Sequence, residues 1–297
     1  MGASAGARRL RNDQAVILLA VKLLLAPCFV MGASLVARRY GPRIGGLIAG
    51  LPVVAGPILL AYALEHGRTF AATAAAGTLT GLVSLIAFVI VYGRLAGRVS
   101  WGASMLTGWL AFACATAVFS AVSLPLGASL ALAAVALAAG LAALPRPGID
   151  ERVHVTPPSW DLPVRAACAV ALVLTLTAVA GWLGPQVSGL LAPFPIIATV
   201  MATFTHAQRG ADELLRMLRG LLSGFGAFAL FCFSLALLLR RLDTAESFVL
   251  ATSMALLAQG VVLMLTPGHD AALAPVQAAL PTPPADGAAA CAARQSA

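Results

Sequence analysis

Gly41-Pro42-Arg43-Ile44-Gly45-Gly46-Leu47-Ile48-Ala49-Gly50-Leu51-Pro52-Val53-Val54-Ala55 has a counterpart later in the same chain. Slid forward by 143 positions it falls on Gly184-Pro185-Gln186-Val187-Ser188-Gly189-Leu190-Leu191-Ala192-Pro193-Phe194-Pro195-Ile196-Ile197-Ala198, and seven of the fifteen residues are identical. The same offset, without a gap, pairs Gly67 with Gly210, Gly77 with Gly220, Gly81 with Gly224, Phe88 with Phe231 and Lys22 with Arg165. A general apolar bias matches Leu, Ala and Val by chance. It does not hold Gly and Pro in register through successive apolar runs. The chain therefore reads as two copies of one unit, and that reading governs the architecture.

The composition says what the unit is made of. Of 297 residues, 60% are apolar and only 10% charged, with a mean hydropathy of +0.94. Soluble domains carry about a quarter charged residues. A disordered chain, a collagen-like chain and an ordinary water-soluble enzyme are excluded. What fits is an all-α, polytopic membrane helical bundle of about nine transmembrane helices at about 20 residues each. The net charge of +8 sits mostly in short gaps between apolar runs, which reads as membrane orientation rather than nucleic-acid binding.

Charge-free stretches set the spans: 14–36, interrupted only by Lys22, then 44–64 and 69–93 come first. Residues 99–145 carry no charge; as one helix they would reach about 70 Å, so they form two spans, broken at Ser123-Leu124-Pro125-Leu126-Gly127. Residues 145–161 are a polar, Pro-rich connector. Residues 166–205 form two more spans broken at Gly181-Trp182-Leu183-Gly184-Pro185, followed by 212–239 and 246–266. The domain plan is an N-terminal tail (1–13), a first four-helix repeat (14–124), a linking helix and connector (125–161), a second four-helix repeat (162–266) and a mobile Ala/Pro-rich tail (267–297). Corresponding spans are five crossings apart, an odd number, so the repeats are expected in inverted orientation. With the N-terminus outside, cytoplasmic loops collect Arg38, Arg39, Arg43, Arg94, Arg98, Arg146, Arg152 and Arg209, while Arg8, Arg9, Arg11, Arg240 and Arg241 run against the rule.

Two features point to a site. Spans 2 and 7 carry interior prolines, Pro52 and Pro57 in one and Pro193 and Pro195 in the other. Interior Pro deletes an amide donor and clashes one turn back. In lipid such a break is tolerated only where protein or a wet cavity surrounds it. Broken helices at matching positions of inverted copies mark the centre of many transporters; the competing reading is a pair of packing kinks. The second feature is Lys22 and Arg165, each 30 residues before its copy's proline (Pro52 or Pro195). An intramembrane cation marks an anionic ligand or a buried partner, against the alternative that it snorkels to the headgroups. His206, at the end of span 7, is the one proton-linked candidate. Gly77/Gly81 and Gly220/Gly224 read as close-packing pairs, Gln259 as helix–helix glue, and an Asp212/Arg216 pair as an interfacial turn.

Catalytic signals are poor. Gly2-Ala3-Ser4-Ala5-Gly6 fits a nucleophile elbow by letter alone, with no preceding strand. The five cysteines, Cys28, Cys114, Cys168, Cys232 and Cys291, show no paired spacing. No catalytic residue, metal site or cofactor is expected.

The segment Gly189-Leu190-Leu191-Ala192-Pro193-Phe194-Pro195, followed by His206 and Arg209-Gly210, resembles the GlpM family of small four-span bacterial inner-membrane proteins. Gly46-Leu47-Ile48-Ala49-Gly50-Leu51-Pro52 resembles it more loosely, with Gly50 for the first proline and Ala63 for His206. The resemblance implies two such units, roughly 17–121 and 160–264, fused through a linking span, in a bacterial inner membrane. The expected function is a permease or exporter-like secondary transporter of a small, anionic solute, with Lys22, Pro52, Pro57, Arg165, Pro193, Pro195 and His206 about its site. The alternative is a non-transporting accessory or scaffold of an envelope pathway. Partners are the lipid bilayer, the solute, and a second copy or another membrane protein, but no nucleic acid. A third reading, lipid handling, requires a lateral opening.

Overall fold

The computed structural model describes residues 24, 26–53, 55–122, 124–148, 158–175 and 195–265. Lys22, Pro193, the expected break at 181–185 and the tail from 266 onward lie outside these. Among the described residues the only regular structure is helix. In chain order the helices are α1 (26–40), α2 (Pro42–Ala49), α3 (Ala55–His66), α4 (Arg68–Leu95), α5 (Trp101–Ser120), α6 (Leu126–Ala143), α7 (161–175), α8 (Ile196–Leu238) and α9 (Thr244–Leu265). Five of them, α4, α5, α6, α8 and α9, are long and apolar enough to cross a membrane. The protein is a helical membrane bundle, the form in which a chain satisfies its own backbone in hydrocarbon. The stretch 99–145 divides where its turn residues place the division, between Ser120 and Leu126 with Pro125 at the N-cap of α6.

Two expected spans look different. Residues 44–64 are not one helix but α2 and α3, parted at Gly50–Val53. Pro52 has no N–H and cannot continue α2. The chain tightens there instead, with the Leu51 amide on the Ile48 carbonyl (3.0 Å) and the Val53 amide on the Leu51 carbonyl (2.9 Å). Pieces of eight and twelve residues reach about 12 and 18 Å, so neither crosses alone. Conversely, the end of span 7 and span 8 form one 43-residue element, α8, kinked at Gly210.

The kink has a conformational cause. Gly210 holds φ 83° and ψ −177°, and Gly67, which starts α4, holds φ 87° and ψ 167°. Only glycine occupies this region without strain. The two residues are 143 positions apart, so corresponding places in the chain carry the same rare turn.

Polar contacts fix the helix directions. Arg68, at the start of α4, donates to the Leu242 carbonyl (2.8 Å) and the Asp243 carboxylate (3.2 Å), just past the end of α8. Gly93, near the end of α4, faces Leu215 and Leu218, just after the kink. Hence α4 and the second part of α8 run antiparallel. At the end of α1, Arg38 meets Asp161 at the start of α7 (2.6 Å), while Val30 and Ala169 pack together deeper in the bundle. Helices related by the 143-residue offset thus run in opposite directions.

α4 and α8 form the buried centre, and α5, α6 and α9 lie outside them. The closest approach is between α2 and α8. A methyl at Gly46 would run into the Met217 carbonyl, and one at Gly220 into the Arg43 carbonyl; Gly50 and Gly224 face each other a turn further on. The expected packing role of Gly220 and Gly224 is met, but Gly77 faces open space. Backbone-to-backbone contact of this kind exploits the small-residue spacing common in membrane helices.

Gly67→Ala and Gly210→Ala add a methyl that meets nothing, so any loss is conformational strain. Each should cost about 1–3 kcal/mol, read as a lower Tm in detergent, while Gly226→Ala, in regular helix with open space, should keep or raise Tm. Gly220→Ala should be worse than either, abolishing a monodisperse folded species on size exclusion, because α2 and α8 must separate to admit it.

Candidate functional site

The break in span 2 leaves the Leu47 carbonyl without its partner one turn on, because the Leu51 amide bonds Ile48 instead. Gln259, buried in α9, supplies the missing donor: its Nε2 lies 3.0 Å from the Leu47 oxygen. Gly224 makes the space, since a methyl there would collide with that oxygen. The expected glue residue therefore repairs the proline-broken backbone, a link between helices 212 residues apart in sequence.

Beside the break is a cavity of about 340 Å³, walled by Leu51, Pro52, Val53, Gly56 and Pro57 before Leu60 on one side, and Phe231, Phe248, Thr252, Ala255 and Leu256 on the other. Of its walls, Leu60 on α3 and Leu256 on α9 are exposed. α2 runs about 12 Å from Pro42 before it reaches the break. Pro52 and Pro57 thus line a hollow, as expected, but its walls are apolar, with Thr252 the sole side-chain hydroxyl. Pro195 is not among these walls. It sits buried at the N-cap of α8.

Arg165 lies elsewhere, at the membrane edge. Its Nε donates to both oxygens of Asp161 (2.9 and 3.0 Å), one turn back on α7. Asp161 also accepts from Arg38 (2.6 Å) and Gln208 (2.6 Å), and the Arg165 guanidinium stacks on Phe204 at 4.8 Å. The Arg165 side chain is 7% exposed and that of Asp161 1%. Snorkelling is therefore replaced by a buried partner. Arg38, Arg165 and Arg209 together border a void of about 10 Å³ with Ser34 and Thr205, room for about one water. One carboxylate faces three guanidinium groups, so this corner stays positive. It also brings the end of α1, which carries Arg38, to the Arg209 turn just before the Gly210 kink of α8.

His206 joins neither place. Its ring lies edge-on to Tyr92 (5.9 Å between centroids), and its Nδ1 is buried without a hydrogen-bond partner among the described residues. The turn beyond the Gly210 kink is structural. Asp212 accepts from the Gly148 amide (3.0 Å) rather than pairing with Arg216, which takes Glu213 instead (2.6 Å) and also bonds the Gly148 carbonyl (2.9 Å). These contacts pin the connector to α8.

Three residues that matter were not singled out from sequence. Asp161 was assigned to the connector, though its i,i+4 spacing to Arg165 is the signal of a pair. Arg38 was read only as a loop charge. Trp109 is the third: its indole donates to Thr199 (3.0 Å) from inside α5. Trp101 and Trp160, by contrast, are exposed at helix starts, as interfacial anchors are.

The chain matches no protein-family model, no curated protein and no solved structure.

Asp161→Asn should leave two guanidinium groups facing each other without a counter-charge and cost about 3–5 kcal/mol. Arg165→Met should cost less, because Asp161 keeps Arg38 and Gln208. Thermal unfolding in detergent gives the order. Gln259→Leu should cost about 1–3 kcal/mol through the orphaned Leu47 carbonyl, and a variant as stable as the parent would show that another group satisfies it.

Proposed function

We propose that the protein is a permease of the secondary-transporter type, with its pathway at the Pro52 break. One observation carries the reading: an apolar stretch is interrupted at Pro52, its freed carbonyl is held by a side chain from another helix, and a cavity opens at the gap. A kink that merely shaped packing would need no hollow beside it. The antiparallel course of α4 against α8, and the matching turns at Gly67 and Gly210, support reading the chain as an inverted duplication. Transporters use such duplications to rock one half against the other about a central site. The sequence carries no nucleotide-binding motif, so a gradient is the driving force. The likeness of Gly189–Pro195 to the GlpM family is part of this proposal, and with it a bacterial inner-membrane setting.

The solute expectation shifts. Arg165 already has a carboxylate, and the hollow at Pro52 is apolar. The positive corner formed by Arg38, Arg165 and Arg209 still favours an anionic group at the membrane edge, remote in kind from the pocket at the break.

The test is blockage of the hollow. In proteoliposomes Ala255→Phe, which fills it, should abolish movement of a fluorescent anionic amphiphile across the bilayer. Leu106→Phe, exposed on α5, should leave that movement unchanged. Equal rates in the two variants would overturn the permease and leave the scaffold reading.

A further inference from the structure

Matched positions in the two copies of the unit carry side chains of different size, and the difference defines a ligand. Carrying the pocket walls forward or back by 143 positions gives their counterparts: Gly56 corresponds to Thr199, Thr252 to Trp109, Ala255 to Phe112 and Phe231 to Phe88. The Trp109 indole reaches across from α5 to bond Thr199 on α8, and Phe112, one turn on, is buried. At the Pro52 break the corresponding helices, α9 and α3, carry Thr252, Ala255 and Gly56, and about 340 Å³ is left open. That size is within the lower range of ligand sites.

We infer that the vacant place holds one hydrocarbon chain of a bilayer lipid or lipid-like amphiphile. The first reason is chemical. Of the eleven wall residues only Thr252 carries a side-chain hydrogen-bonding group, and the nearby Leu47 carbonyl is engaged by Gln259. A polar solute entering there would give up its water for nothing. The second reason is access. The mouth lies between α3 and α9, whose exposed Leu60 and Leu256 face the bilayer, so the adjoining phase is lipid tails. The third is the matched positions themselves, where Trp109 and Phe112 supply the apolar bulk that Thr252 and Ala255 lack. Chain binding stands independently of transport. It deepens the permease reading by naming the solute class, and rests on that reading only for translocation.

The experiment uses the full chain in proteoliposomes containing a phosphatidylglycerol with a photoreactive diazirine in its acyl chain. Phe231 and its counterpart Phe88 are both buried, so bulk lipid reaches neither from the outer surface. Crosslinks mapped by peptide mass spectrometry should appear on Phe231 and Phe248 and not on Phe88. Thr252→Trp with Ala255→Phe, which transplants the Trp109–Phe112 filling, should lower the Phe231 adduct at least tenfold while leaving adducts at lipid-facing Leu106 unchanged. The smaller Thr252→Trp change alone serves if the double variant unfolds. Equal labelling of Phe231 and Phe88, or a Phe231 adduct indifferent to the filling, would overturn the inference. A second arm follows dithionite bleaching of a fluorescent phospholipid in the same vesicles. Adducts without leaflet exchange would retain the bound chain and remove lipid as the transported solute.

Discussion

Inside hydrocarbon no water repairs an unpaired peptide group, and that constraint organises this molecule. Pro52 interrupts a span where interruption is costly. The structure answers with a specific side chain, Gln259, brought from the last helix to the Leu47 carbonyl. The answer has requirements of its own. α2 must lie close enough to α8 for Gly224 to leave that carbonyl in reach, which needs bare glycines at the crossing. The helix break, the glycine crossing and the glutamine are one arrangement, and the cavity at Pro52 is what remains around it.

A second polar arrangement sits at the membrane edge. Asp161 binds Arg165, Arg38 and Gln208, drawing α1, α7 and the first part of α8 together. Its carboxylate is buried, yet fully engaged by donors, as a buried charge must be. The extra guanidinium groups leave this corner positive. The two polar arrangements divide the labour: one stabilises a break within the membrane, the other ties helix ends at its surface.

Asymmetry between related halves is the most informative feature for function. Inverted copies with identical breaks would give two equivalent hollows. Here a few matched positions differ, Thr252 for Trp109 and Ala255 for Phe112 among them, and an apolar hollow lies beside the smaller set.

The sequence alone determined that the chain is a bundle of membrane helices, because charge-free runs of such length have no other stable form. It also determined where most helices stop, since Pro and Gly act locally: Pro125 starts α6, Pro52 parts α2 from α3, and Gly67 and Gly210 take a backbone shape closed to other residues. The repeat offset pointed to the break at Pro52 and to helix pairs that run in opposite directions. Tertiary structure decided what each polar residue does. Whether Arg165 meets lipid, solute or carboxylate depends on which helix ends converge, and only packing brings Arg38 and Gln208 to Asp161. Whether Pro52 faces a wet or an apolar hollow depends on the volumes of residues far along the chain, on Thr252 and Ala255. Local chemistry is written in neighbouring residues; the environment of a side chain is set by partners that the linear order keeps apart.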